Sequence, residues 1–208
     1  MNLTKLFDTQ RILDERIVQQ KGLEGRDMLP NKILALLVEL GELANEERSW
    51  KFWSEDRESR THIDLICSPC WGTGDINSEA NAESMMEGGS GIPYEECEYC
   101  KGTGKDGYKN PLLVEYVDCL HFILSIGLEI GIHHFVYKED HNFKESNITQ
   151  QFLSVMDYAI MLRDDDYCSE LLKSFVYLGE MLGFTWEQIE TAYFEKNKIN
   201  HSRQDNGY

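Results

Sequence analysis

Two apolar segments of the chain each carry a pair of carboxylates three residues apart. Glu39 and Glu42 lie in "LLVELGELANEE", and Glu115 and Asp118 lie in "NPLLVEYVDCLHFILSIGLEIG". A helix turns every 3.6 residues, so each pair projects from one face of its helix. Two antiparallel helices that direct such pairs inward bring four acids to one place. The fold must therefore either solvate these acids or compensate their charge.

Helical spacing of apolar residues dominates the rest of the sequence, and proline is scarce. Convincing strand alternation is absent outside residues 60–108. We therefore expect an all-α helical bundle. An aspartate of "RDDD" is the expected N-cap of the fifth helix. The predicted helices cover residues 3–20, Pro30 to Arg48, a segment beginning at Asn110, 148–163, 166–182, and a last segment opening at Thr185.

Length and charge restrict the class of protein. A chain of 208 residues is long enough for one sizeable core with an inserted module. The formal net charge of −17 argues against stable binding of nucleic acid, although a nucleotide can still bind through divalent metal ions. We find no apolar run approaching the roughly 20 residues that span a bilayer, and no secretory signal at the start. The expected location is the cytoplasm, without membrane attachment.

Residues 54–108 interrupt the helical pattern. This stretch contains half of the glycines and four of the six cysteines. Structureless loops of this length are uncommon inside compact domains. We interpret residues 54–108 as a module inserted into a helical domain formed by residues 1–53 and 109–208.

The inserted stretch contains two copies of one cysteine motif, "CSPCWGTG" and "CEYCKGTG". Cys67, Cys70, Cys97 and Cys100 can supply the four thiolates of a tetrahedral structural Zn²⁺ site. Disulfides or free thiols are the alternatives. The motif resembles the cysteine-rich zinc repeat of J-domain co-chaperones, but only over these short segments, so the resemblance implies zinc and not the chaperone role.

The acid pairs have two interpretations. Glutamates on a helix commonly form a solvated face. Here leucines and valines flank both pairs, and carboxylates in apolar surroundings are compensated well by hard cations such as Mg²⁺ or Mn²⁺. A metal between carboxylates and phosphate oxygens can orient water and stabilise phosphoryl charge.

Four motifs carry a resemblance to a known family. ExxE followed by ExxD on the next long helix resembles the all-α nucleoside triphosphate pyrophosphohydrolases of the MazG-type superfamily. The stretches "LFDTQRILDERI", "ELANEERSWKFWS" and "FEKNKINHSRQDNGY" resemble the dimeric dUTPases within it. The resemblance spans the chain except the cysteine insert. It implies a homodimer that hydrolyses dUTP to dUMP and pyrophosphate, which limits uracil incorporation into DNA.

The resemblance also implies roles for individual residues. It assigns the two acid pairs to two or more Mg²⁺ ions per site, with Mn²⁺ as a possible substitute. One of these glutamates, in the first place Glu42, would also orient the attacking water; Glu39 belongs to the same catalytic set, and Glu46 would be an outer ligand or base. The residues implied in substrate binding are Gln10, Trp50, Lys51, Trp53, Lys196, Asn197, Asn200, Arg203 and Gln204.

Several alternatives stay open. Trp50 and Trp53 are also consistent with core aromatics, and Lys196 and Arg203 with charges that favour a helix C-terminus. We interpret His121 as a packed or outer-shell histidine. The alternative functions are pyrophosphohydrolysis of dCTP or noncanonical triphosphates, and a phage-type interaction protein that binds a repressor. The zinc insert is a possible surface for a protein partner.

Overall fold

The computed structural model describes residues 2–162 and 167–207 and is mostly helical, which confirms the expected fold class. The predicted aspartate cap in "RDDD" lies outside the described residues. Two short strands, β1 (Ile63–Ile66) and β2 (Lys105–Lys109), pair antiparallel. The helices of the described residues are α1 (Thr4–Lys21), α2 (Leu29–Glu47), α3 (Ser78–Met86), α4 (Pro111–Glu129), α5 (Ile148–Met161), α6 (Cys168–Met181) and α7 (Trp186–Asp205).

Local sequence signals explain where several helices begin and end. α4 begins at Pro111, a residue whose fixed φ suits a first helical position. Thr185 and Gln188 form the reciprocal hydrogen bonds of a capping box at the start of α7. α2 ends at Glu47, because Arg48 adopts a left-handed conformation (φ 69°) and its amide donates to Ala44.

One helix was not expected from the sequence. α3 forms in a polar part of the insert, within residues 54–108, for which no helix is predicted. Six of its nine residues are Glu, Ala or Met, which are good helix formers, but none of its side chains is buried. Apolar periodicity therefore gave no signal for it.

The core of the helical part is built around α4. Side chains from nearly every side of α4 are buried, among them Tyr116, Leu120 and Ile123. α5 packs against α6 and α2, and α1 packs against α7. The helices that carry the two acid pairs, α2 and α4, thus both contribute to one core.

The chain divides into two compact units, Met1–Ser59 with Leu112–Tyr208, and Arg60–Pro111. The first contains the helical core. In the second unit, the four paired cysteines are buried together and form the hydrophobic cluster seen among the residues that the structure describes there. Its two strands are exposed along their whole length.

α4 corrects one expectation from the sequence. Among the described residues it is the helix that is long and apolar enough to cross a membrane by length and composition, whereas we expected no such segment. Within its most apolar window, 67% is buried inside the structure. This burial is what the central helix of a helical bundle shows.

Candidate active site

Three acids of the predicted set come together between α2 and α4. Each of Glu39, Glu42 and Glu115 places a carboxylate oxygen within 4.8 Å of the others. Glu42 is exposed, whereas Glu39 and Glu115 are half-buried. The i,i+3 spacing on α2 and the pairing of α2 with α4 around one core produce this convergence.

The electrostatics of this group are unfavourable without a cation. Burial, followed by the charges of Asp118, Glu42 and Glu115, raises the pKa of Glu39 to about 7. Burial and the charge of Asp118 also raise the pKa of Glu115. Oxygen ligands with mutually repelling charges are what a hard divalent cation binds, so the donor set fits Mg²⁺ or Mn²⁺.

Asp118, the fourth predicted acid, has a different partner. Its Oδ2 accepts a hydrogen bond from Lys196 Nζ at 2.5 Å, and both side chains are largely buried. Burial raises the pKa of Asp118, and the hydrogen bond and charge of Lys196 oppose that rise. α7 thus places a positively charged side chain, Lys196, at the edge of the acid group.

A pocket of about 370 Å³ opens beside the acids. Glu39, Asp118 and Lys196 lie at one part of its wall, and apolar side chains of α1 and α4 form much of the remainder. Its size and mixed lining are those of a small-molecule site. The lining residues are Gln10, Leu13, Asp14, Ile17, Val18, Leu23, Met28, Lys32, Glu39, Asp118, His121, Phe122, Ser125, Lys196, Asn200, Arg203 and Gln204.

A polar network crosses the wall of this pocket. Gln10 Nε2 donates to Asp14 Oδ1 at 2.8 Å, and Ser125 Oγ donates to Asp14 Oδ2 at 2.6 Å. Gln10 Oε1 lies 2.7 Å from His121 Nδ1 and accepts a hydrogen bond from Tyr193 at 2.9 Å. These contacts join α1, α4 and α7 and hold the pocket wall in one arrangement.

Other predicted site residues lie elsewhere. Trp50 lines a separate apolar hollow, donates its indole N–H to Ala44 and packs edge-on against Trp53. Lys51 lies over the Trp50 ring. Asn197 is buried but does not line the pocket beside the acids.

The polar network was missed in the sequence. Asp14 and Ser125 were not candidates, and His121 was interpreted as a packed or outer-shell histidine. The available signal was spacing: Gln10 and Asp14 lie four residues apart on α1, and Asp118, His121 and Ser125 recur along one side of α4. Polar residues at such intervals in an apolar helix point to a lined cavity.

The four paired cysteines form a second cluster within the insert. Their sulfurs all lie within 4.8 Å of one another, and all four side chains are buried. Sγ–Sγ distances are 3.9 Å for Cys67–Cys97 and 3.6 Å for Cys70–Cys100. A tetrahedral zinc with Zn–S bonds near 2.3 Å requires about 3.8 Å between sulfurs. The cluster therefore fits one Zn²⁺ ion.

Glycine makes the cysteine cluster possible. The amides of Gly74 and Gly104 donate to the sulfurs of Cys70 and Cys100, at 3.3 and 3.2 Å. Both glycines have positive φ, and a Cβ on either would lie 2.2 Å from a carbonyl oxygen of the other motif. The "GTG" repeats thus allow the two halves to approach closely.

A family model described as dUTPase matches residues 2–66 and 99–208. The chain belongs to the dUTPase family. Its activity is the hydrolysis of dUTP to dUMP and pyrophosphate, as the sequence motifs implied, and enzymes of this family generally depend on metal ions. The internal gap in this match, residues 67–98, falls within the cysteine insert. No match was found among curated proteins.

Proposed function

We propose that this dUTPase requires Mg²⁺, or Mn²⁺ in its place, and that Glu39, Glu42, Glu115 and Asp118 hold two or more ions. The convergence of three carboxylates from α2 and α4 is the observation that carries the proposal. The raised pKa values of Glu39 and Glu115 support it, because a bound cation offsets both the burial and the repulsion that raise them.

The four acids would hold the ions, which would supply positive charge for the phosphates and lower the pKa of water. Side chains of the protein orient the water, accept its proton and balance the phosphate charge. Glu42, the exposed member of the group, orients the attacking water and accepts its proton. Glu46, one turn further along α2, supports Glu42 as an outer ligand or base. Lys196 and Arg203 balance charge on the phosphates.

The pocket beside the acids receives the nucleoside. Asn200 and Gln204 line it, and Gln204 Oε1 is buried without a hydrogen-bond partner among the described residues, so it can accept a bond from substrate. An amide offers both a donor and an acceptor to the edge of uracil. Gln10 lies in the pocket wall, and Asn197 is buried on the same helix as Asn200. Trp50, Lys51 and Trp53 are proposed to close over the substrate.

Turnover of deoxynucleoside triphosphates with Mg²⁺, with Mn²⁺ and with a chelator tests this function. We expect pyrophosphate release from dUTP with either metal, and none with the chelator. A site built around a buried amide leaves polar groups unsatisfied with the wrong base, so dCTP and dTTP should react more slowly. Equal turnover of dCTP would favour the broader pyrophosphohydrolase alternative. Undiminished turnover in chelator would show that the reaction does not require a metal ion.

We propose that residues 54–108 form a structural zinc module inserted into a catalytic domain of residues 1–53 and 109–208. The interrupted family match and the compact unit Arg60–Pro111 support this division. The module exposes large apolar side chains, including Trp71, Met86 and Tyr99, and we propose it as a surface for a protein partner.

We also propose that the enzyme is a homodimer. α2 and α5 expose the apolar side chains of Leu34, Val38, Leu153 and Ile160, and Leu153 also lines the hollow that Trp50 lines. Such a face is suited to a second copy of the chain. Sedimentation of Leu153→Asp should then give a smaller species than the wild type. None of the six cysteines, all of them among the described residues, forms a disulfide, and we propose the reducing cytoplasm as the place of action.

A further inference from the structure

One ring nitrogen of His121 finds no hydrogen-bond partner within the part of the chain that the structure describes. The residue lies on α4 one turn after Asp118, is 6% exposed, and lines the pocket beside the acids. Its ring stacks on Tyr193 with 4.2 Å between centroids. Nδ1 lies 2.7 Å from Gln10 Oε1, whereas Nε2 is buried with no hydrogen-bond partner among the described residues. A buried, unsatisfied polar atom at a pocket wall calls for an explanation.

The network fixes which nitrogen carries the proton. The Asp14 carboxylate accepts from Gln10 Nε2, so the amide oxygen of Gln10 must face His121 and Tyr193. An oxygen at this position only accepts, and Nδ1 must therefore be the protonated nitrogen. Burial and the nearby charge of Lys196 lower the pKa of His121 to about 3 against an opposing effect of the Tyr193 backbone, and the ring is neutral. Nε2 is left as a bare acceptor.

We infer that His121 Nε2 accepts a hydrogen bond from the 3′-hydroxyl of the bound deoxyribose. The inference rests on the proposed function, because it requires the nucleotide to lie in this pocket with its phosphates at the acids. Gln10 then acts through His121, as a positioning residue that fixes the tautomer. This differs from the expectation that Gln10 contacts the nucleoside itself.

The spacing along α4 favours the sugar over the base. A helix rises 1.5 Å per residue, so His121 lies about 4.5 Å along the axis from Asp118 and Ser125 about 10.5 Å. The sugar is attached directly to the α-phosphate and reaches the level of His121. The base extends beyond it, toward Leu13, Ile17 and Phe122 in the apolar part of the pocket. The N3–H of uracil is the other group of the nucleoside that could donate a hydrogen bond to Nε2.

Substrate analogues combined with His121→Phe test the assignment. Phenylalanine keeps the ring that stacks on Tyr193 but removes Nε2. We expect the wild type to prefer dUTP over 2′,3′-dideoxyuridine triphosphate by about tenfold in kcat/KM, the value of one hydrogen bond to a buried group. In His121→Phe this preference should fall below about twofold. Tyr193→Phe is the matched control, because it removes the other donor to Gln10 and leaves Nε2 in place, so it should retain the preference.

Two results would overturn the assignment to the sugar. If His121→Phe instead reduces the preference for dUTP over dCTP, which lacks the N3–H, the donor is the base. If it changes neither ratio, Nε2 does not read the nucleoside at all, and the role of His121 is structural.

A measurement without turnover separates this inference from the proposed function. In ¹⁵N-histidine protein, His121 should show an unprotonated Nε2 whose resonance shifts when dUMP binds, and that signal should be missing in His121→Phe. If dUMP does not bind, the proposed nucleoside pocket is wrong. If dUMP binds and the His121 resonance does not move, only the present inference is wrong.

Discussion

The acid group and the cysteine cluster are both suited to a metal ion, but the chain constructs them differently. The cysteines are buried, and backbone amides of Gly74 and Gly104 already support two of the sulfurs. The acids are half-buried or exposed and repel one another, and burial raises the pKa values of Glu39 and Glu115. The cysteine cluster is organised by its own backbone, whereas the acid group is electrostatically unfavourable without a bound cation.

This difference matches the roles that we assign. Four thiolates leave no coordination position for water, as in structural zinc sites. Three carboxylates beside an open pocket leave positions for water and phosphate oxygens. Disturbing the acids should therefore abolish turnover with little loss of fold, and disturbing the cysteines should loosen the insert with little loss of turnover.

Replacing Glu42 by glutamine should have the largest effect on turnover. The amide keeps the shape of the side chain but loses the charge that binds metal and orients water. We expect kcat to fall by on the order of 10²-fold or more. Pyrophosphate release from dUTP measures the loss, and far-ultraviolet circular dichroism should show an unchanged helical content.

Glu139→Gln is the matched control for this change. Glu139 is an exposed carboxylate that belongs to neither cluster. The control should retain wild-type kcat. A Glu42→Gln enzyme with near-wild-type turnover would exclude Glu42 from the mechanism and break the contrast between the clusters.

Replacing Cys97 by serine should have a smaller effect on turnover but a large one on zinc. Loss of one thiolate lowers zinc content, and the insert cannot order itself on its small buried surface. We expect faster amide exchange or proteolytic cleavage between Asp75 and Gly91, with kcat for dUTP within about twofold of wild type because the acids remain intact.

Tyr99→Ser is the control within the same motif. Tyr99 lies between Cys97 and Cys100 and is 80% exposed, so its loss should leave zinc content unchanged. Stoichiometric zinc in Cys97→Ser, or disulfide-bonded cysteines without metal in the wild type, would contradict the zinc assignment. A collapse of the helical core would show that the insert is required for the fold and does not merely extend it.

The same contrast explains what the sequence predicted. The cysteine motif is local, since two cysteines and two glycines within eight residues already specify half of the site. The starts of α4 at Pro111 and of α7 after Thr185 are equally local signals. The position of His121 depends on contacts with Gln10 and Tyr193, distant in the chain, and spacing alone did not distinguish a packed histidine from one that lines a pocket.

Where the sequence carries no apolar pattern, a helix was missed, and where it carries only a family motif, the placement of the site residues stays a prediction. α3 buries nothing, so no apolar pattern marks it. The aromatic stretch at Trp50 and Trp53 matches a motif, yet Trp50 lies against a different hollow from the one beside the acids. A motif identifies residues that belong together in a family, but their placement in a site depends on tertiary contacts and, for a proposed dimer, on the second copy.

The smallest effect concerns the stability of the metal-free protein. The pKa of Glu39 is about 7 in the folded state against an ordinary value of 4.5, so the folded state binds more protons between these pH values. The contribution of Glu39 to the free energy of unfolding is therefore full below pH 4.5 and is lost as the pH rises to about 7. The side chain is half-exposed, and solvent screening reduces this contribution to on the order of 1 kcal/mol.

Urea unfolding in chelator should thus show less loss of stability between pH 4.5 and 7 for Glu39→Gln than for wild type. Added Mg²⁺ should reduce the same pH dependence in the wild type, since the bound cation favours the ionised carboxylate. Identical pH profiles for the two proteins would mean that the acids are not strained without metal, and the contrast with the cysteine cluster would then rest on geometry alone.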